Sequence, residues 1–202
     1  MEITLRILCL AAGILFGSFL AAEYVARRLT GQTARDLGSG NPGMANIMAT
    51  LGKGPGFAVL AGDVAKTVLV CALCRFAIAP QLGHTALLYA GVGAILGHNY
   101  SLFHKGRGGK GVAVTCTWLI LYLPVTGALC CLAGGFAVLV WGYLPLGAVL
   151  IPALAVPVAF VQYGTESGIV TLLAAAMMLW RHRNGLRRIF SGEEKRFFRP
   201  KS

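Results

Sequence analysis

The sequence predicts an all-α, polytopic integral membrane fold of about seven transmembrane helices. Three observations predict it. Apolar residues make up 56% of the 202 positions and charged residues only 12%, against about 25% charged in a soluble domain. Mean hydropathy is +0.71. The basic residues gather in short, polar, glycine-containing segments between long apolar stretches. A chain of this length accommodates one membrane-embedded domain, residues 1–202, of six or seven spans. The formal net charge of +11 would suggest nucleic acid in a soluble chain. In a membrane chain it reflects orientation and anionic lipid, so membrane lipids are the expected partners and nucleic acid is not.

The first apolar stretch runs roughly over 7–25, and its Gly17 and Ser18 are small enough for close helix contact. Arg6 precedes it, but no small-residue cleavage site follows cleanly, so it reads as a retained span. The second covers about 57–76 and contains Asp63 and Lys66. These lie one helical turn apart, share a face and can pair. Charge at membrane depth marks either a functional group or an ion pair joining helices. The remaining stretches are about 85–96, 112–123, 128–140, 146–161 and 169–180. Several fall short of the roughly 20 residues that a straight span needs. Either Pro124, Pro145, Pro152 and Pro157 blur their boundaries, or some helices are broken. The six cysteines all lie in apolar stretches and read as small apolar residues, with no disulfide framework and no metal-ligand cluster.

Charge sets the orientation. Seven spans with the N-terminus outside put three basic regions on the cytoplasmic face. One holds Arg27, Arg28, Arg35 and Lys53, and one holds Lys105, Arg107 and Lys110. The C-terminal tail holds Arg181, Arg183, Arg187, Arg188, Lys195, Arg196, Arg199 and Lys201. Of the 18 basic residues, all but Arg6, Lys66 and Arg75 are then inside, as the positive-inside rule requires. The C-terminus is cytoplasmic in this reading.

Each of the three regions carries a polar motif. The segment 97–112 reads GHNYSLFHKGRGGKGV, with Gly106, Gly108, Gly109 and Gly111 interleaved with Arg107 and Lys110. Glycines let successive N–H groups turn toward one point and form an anion-binding nest, to which Lys110 and Arg107 add charge. His98 and Lys110 are its main ionisable groups. It is no Walker A loop, since His104 and Gly111 stand where Gly and Ser or Thr are needed. The segment 35–46 offers Ser39, Asn41 and Asn46 on a backbone made pliable by Gly38, Gly40 and Gly43. The third, 181–188, places His182 in a basic cluster, where like charge lowers its pKa and leaves a neutral imidazole able to donate and accept. Three phosphate-friendly segments at one face suggest a substrate with phosphate and an apolar tail. Ser39 sits in no GxSxG elbow, and no histidine is followed five residues on by Asp.

The stretches GSGNPGMAN, GHNYSLFHKGRGGKGVAVT and RHRNGLRRIFSGEE resemble, in order and spacing, the three motifs of the bacterial membrane glycerol-3-phosphate acyltransferases of PlsY type. The linking LGKGPGFAVLAGDVAK fits as well, and the likeness runs from Gly17 to about Phe197. It implies acyl transfer from acyl phosphate to glycerol 3-phosphate in phospholipid biosynthesis, forming lysophosphatidic acid and phosphate without a cofactor. The membrane implied is the cytoplasmic (inner) one, with the active site facing the cytoplasm. Matching positions imply that Ser39 and Lys110 contact phosphate. Gly108 and Gly109 would offer backbone N–H groups to the leaving phosphate, and His182 would bind the acceptor. Ser39, Lys110 and His182 are thus the catalytic candidates. Gly38, Gly40, Asn41, Gly43, Asn46, His98, Arg107, Gly108, Gly109 and Gly111 are the substrate-binding ones.

This chain departs from the family pattern at three positions. Ala45 and Ala49 replace a Thr and an Arg of the first motif, and Gly185 replaces an Asn of the third. One lost charged hydrogen bond is worth about 1.5–3 kcal/mol, for which Arg35, Lys53, Arg107 or Arg181 could compensate. A paralogue acylating another acceptor, and a non-enzymatic phosphate- or phospholipid-binding membrane protein, are the competing readings.

Overall fold

The computed structural model describes residues 1–197; Arg199 and Lys201 of the basic tail lie outside the described residues. Among the described residues the regular structure is entirely helical. The helices are α1 (Glu2–Gly17), α2 (Ala21–Thr30), α3 (Met44–Leu51), α4 (Lys53–Leu73), α5 (His84–Asn99), α6 (Val112–Tyr122), α7 (Pro124–Trp141) and α8 (Leu144–Phe190). A π-helical turn, Cys74–Ile78, extends α4. Among the described residues four stretches are long and apolar enough to cross a membrane: Glu2–Thr30, Lys53–Ile78, Pro124–Trp141 and Leu144–Phe190. The last contains Gly164, whose φ of 79° and ψ of −170° are not helical. Phe160 packs on Gly168 beside this break, and Pro145 packs on Gly185 far from it, so the two halves of α8 run back along one another.

The helix is broken between the apolar stretches 146–161 and 169–180, and no proline makes the break. Pro124 and Pro145 stand at helix starts, where the missing N–H costs nothing. Pro152 and Pro157 lie inside α8, and the interruption falls at Gly164 instead. The first stretch is also divided. Ser18 turns its hydroxyl onto the Ile14 carbonyl at 2.7 Å, Leu20 is extended, and α2 begins afresh at Ala21. All six cysteines are free thiols, four of them buried.

The chain forms two compact units that divide after Trp118. In the first, α1 and α5 are the most closely paired helices, and α4 packs on α1, α2, α3 and α5. Glycine makes the α1–α5 contact possible. Gly13 and Gly17 of α1 face Gly93 and Gly97 of α5, four residues apart on each helix. A Cβ on Gly93 would sit 3.0 Å from Gly13 Cα and 3.1 Å from Ile14 N. Backbones this close gain dispersion contacts that larger residues forbid. In the second unit α7 packs on α8, with Gly134 against Gly147 and Ile151. Tyr122 hydrogen-bonds Ser167 there.

Candidate active site

Two of the three polar segments come together in the first unit. The segment 31–43 is a loop without regular structure, and Asn46 shapes it from the first turn of α3. That side chain is 5% exposed. Its Oδ1 accepts from Ser39 N at 2.8 Å and Ser39 Oγ at 3.1 Å. Its Nδ2 donates to Leu37 O at 2.9 Å and Ala34 O at 3.1 Å. All four bonds run to the loop, so Asn46 holds Ser39 in place from beneath. Ser39 itself is exposed. Gly38 and Gly40 adopt φ of 52° and 71°, which a side chain would strain. Thr33 donates its N–H and hydroxyl to Asp36 Oδ2, holding that carboxyl below its usual range.

The second segment lies flat on the last turn of α5. Gly109 N donates to His98 O at 3.0 Å, and Gly106 N to Ser101 O at 2.9 Å. The approach is close enough to require glycine. A Cβ on Gly108 would lie 2.7 Å from Asn99 C, and one on Gly111 2.7 Å from Asn99 Oδ1. Lys105, Gly106 and Gly111 carry positive φ. The loop thus turns three times before α6 starts at Val112. Gly108 and Gly109 are buried, Lys110 is half-buried and Arg107 is exposed.

Two contacts join the loops. A Cβ on Gly109 would stand 3.0 Å from Pro42 O, so Gly109 lies against the first loop. Arg35 donates to the Arg107 carbonyl while its Nη1 sits 3.1 Å from Glu23 Oε1. Glu23 is 3% exposed, and its other oxygen accepts from Ala34 N at 2.9 Å. One carboxylate therefore anchors both loops to α2. Arg35 is held in this strap, while Lys105 and Arg107 of the second segment, and Lys53 at the start of α4, are exposed.

Serines tie the second loop to the α1–α2 break. Ser101 Oγ donates to Ser18 O at 2.6 Å, and Leu102 N donates to Ser18 Oγ at 3.1 Å. With its hydrogen spent, Ser101 Oγ accepts from His104 Nδ1 at 2.9 Å. Burial pushes the His104 imidazole below its ordinary pKa. Neither Ser101 nor Glu23 stood out in the sequence. A lone acid at the end of an apolar helix ahead of three arginines was the available signal for Glu23.

The third segment lies in the second unit. His182 is 4% exposed, and its Nδ1 donates to the Met178 carbonyl at 3.0 Å, which makes Nε2 the acceptor nitrogen. Arg183 stacks over Trp180 with its guanidinium 3.8 Å from the ring centroid. Arg188 pairs with Glu194 at 2.6 Å, closing the turn after α8. Gly185 is buried. A Cβ there would lie 2.6 Å from Pro145 Cγ, so Pro145 occupies the space a larger residue would take.

Comparisons with known proteins converge. The family model described as glycerol-3-phosphate acyltransferase matches residues 7–192. A glycerol-3-phosphate acyltransferase of Shouchella clausii is 38% identical over 197 residues, covering 91% of this chain and 92% of that one. Among solved structures, PlsY (YgiH), an integral membrane glycerol 3-phosphate acyltransferase, was crystallised in a glycerol 3-phosphate form. It is 28% identical with a TM-score of 0.83, covering 95% of both chains. The lysophosphatidic acid form gives 25% identity and a TM-score of 0.80, covering 95% of this chain and 94% of that one. A match across nearly the whole length, to an integral membrane protein of the same fold, makes this chain a membrane protein as well. It belongs to the glycerol-3-phosphate acyltransferase family.

Proposed function

We propose that this chain transfers the acyl group of acyl phosphate to glycerol 3-phosphate within one acyltransferase domain spanning 1–202. An acceptor hydroxyl attacks the acyl carbon. The bond from that carbon to the phosphate oxygen breaks, and phosphate leaves with the electron pair. The hydroxyl proton passes to a substrate phosphate. Lysophosphatidic acid and phosphate are the products. A mixed anhydride has a good leaving group, so the protein needs mainly to position two phosphates and stabilise developing charge. The observation that carries this reading is the joining of the two loops. A glycine turn bearing Lys110 is laid on the end of α5 and abuts the Ser39 loop through Gly109 and Pro42.

In this reading Ser39 and Lys110 hold phosphate, with Arg107, Asn41 and the glycines around them. Gly109 already gives its N–H to His98 O, so it serves as a close-packed spacer and Lys110 carries the charge. His182, an acceptor at Nε2, takes a hydrogen bond from the glycerol hydroxyl. Seven spans, an outside N-terminus and a cytoplasmic site follow from the basic residues. The membrane is the inner one of a bacterial cell.

The test is purified protein in detergent with acyl phosphate and glycerol 3-phosphate, read as phosphate release and lysophosphatidic acid by mass spectrometry. Product that falls by about a hundredfold or more in Lys110→Ala, the scale of losing one preorganised charge at a reacting centre, supports the reading. No product from a folded sample that binds acyl phosphate would move the acceptor elsewhere. No binding of either substrate would end the enzymatic reading.

A further inference from the structure

Behind the glycine loop lies a buried ion pair that the acyl-transfer reading does not use. Asp63, Lys66 and His98 are 3%, 5% and 3% exposed. An ammonium has three N–H donors and no lone pair. Lys66 Nζ hydrogen-bonds Phe19 O at 2.7 Å and His98 Nδ1 at 2.9 Å, and Asp63 Oδ1 is its ion-pair partner at 2.8 Å, lying 3.5 Å from His98 Nδ1. Gly17 O is farther, at 3.3 Å. The two carbonyls and the imidazole take the three donors.

Two consequences follow. Gly17 and Phe19 belong to the break between α1 and α2, where carbonyls lose their helical partners. In an apolar surrounding such carbonyls need a donor, and Lys66 of α4 supplies it. The second consequence concerns His98. Lys66 can only donate, so Nδ1 accepts and the ring hydrogen sits on Nε2. That Nε2 faces Gly109: a Cβ on Gly109 would collide with it and stand 3.1 Å from His98 Cδ2. The His98 carbonyl meanwhile holds the Gly109 N–H.

We propose that Asp63 and Lys66 are positioning residues for acyl transfer. Lys66, held by Asp63, locks His98 as the Nε2–H tautomer, and that N–H, facing Gly109, keeps the Gly108–Lys110 turn in the shape that receives the donor phosphate. This rests on the acyl-transfer reading for its substrate. An ion pair that merely joined helices would stabilise the bundle and leave the kinetics of the folded enzyme alone.

Two measurements test it. Ring-¹⁵N NMR of the histidine-labelled wild-type protein, with His98 assigned by its loss in His98→Gln, reads the tautomer directly. A bare Nδ1 with hydrogen on Nε2 is expected; hydrogen on Nδ1 overturns the proposal. The second uses Asp63→Asn/Lys66→Met, which removes both charges together, so neither is left buried without its counter-charge. In folded protein, kcat/KM for acyl phosphate is expected to fall about tenfold, the equivalent of one ordinary hydrogen bond, through KM rather than kcat. Hydrogen should also appear on Nδ1. An unchanged KM for acyl phosphate overturns the proposal. If that pair fails to fold, Lys66→Arg keeps the charge, moves the donors and is read the same way. A wild-type protein that never turns over acyl phosphate would sink the acyl-transfer reading; the tautomer measurement stands apart from that outcome.

Discussion

Asn46 shows how one side chain converts a glycine-rich loop into a defined surface. Its amide has two donors and an acceptor oxygen, and both donors and both lone pairs are used on residues 34–39. The pliability that glycine brings to this loop is removed again by four hydrogen bonds. Ala45 and Ala49, by contrast, lie exposed four residues apart on one face of α3. Nothing packs there that would exclude a longer side chain. Ala49→Arg is therefore expected to leave the fold intact and to lower the KM for glycerol 3-phosphate by about tenfold or more, the scale of one charged hydrogen bond. Steady-state kinetics checks it, and an unchanged KM would mean the acceptor phosphate is held elsewhere. Gly185 is the opposite case. Pro145 fills its surroundings, so the third departure from the family pattern is built into the packing of α8.

At the scale of elements, α1 and α5 are held by backbone contact. Gly13, Gly17, Gly93 and Gly97 let the two helices approach until carbonyls and Cα atoms touch. That contact fixes where α5 ends, and its last turn is the floor on which the Gly108–Gly111 turn rests. Gly93→Ile is expected to cost about 1–3 kcal/mol or more through overpacking. It should lower the melting temperature in detergent and the activity together. Gly135→Ile in α7 is the control, since nothing lies within 4 Å of that position. A Gly93→Ile protein that melts like the wild type would show that the helices do not depend on this contact. The α1–α2 break is the second element-scale device. It releases carbonyls, and Lys66 and Ser101 take them up. A helix interruption thereby becomes the point where α4 and the second loop are both tied down.

At the scale of the molecule, charge asymmetry and helix length carry different information. An 18-residue helix such as α7 rises roughly 27 Å at 1.5 Å per residue, close to the hydrocarbon thickness. The 16-residue α5 and 11-residue α6 are shorter. Among the described residues length therefore yields four crossing stretches, and the Gly164 break divides the longest of them. The basic residues decide orientation instead. A C-terminal fluorescent-protein fusion is expected to fluoresce in a bacterial host, while a C-terminal alkaline phosphatase fusion stays inactive. The reverse pattern would invert the topology.

Much of this protein was determined by the sequence alone, because the signals are local. Apolar runs, few charges and three basic glycine motifs specify a helical membrane chain, and the family motifs are contiguous strings. The pairing of Asp63 with Lys66 was equally legible, since helical spacing places them on one face. Tertiary structure decided what depends on distant partners. The break of α8 at Gly164 falls between the apolar stretches 146–161 and 169–180 that the sequence separates, while the geometry that turns the chain there is set by the fold. The Glu23–Arg35 strap joins residues that no local pattern connects. His98 opens a polar motif, and the bond from Lys66 to its Nδ1 depends on α4 passing beside α5. Gly109 looked like an amide donor, and the fold spends that N–H on His98. Glycine's conformational freedom can be read from a string of letters. Which backbone group each N–H finally meets is a matter of which helices pack together.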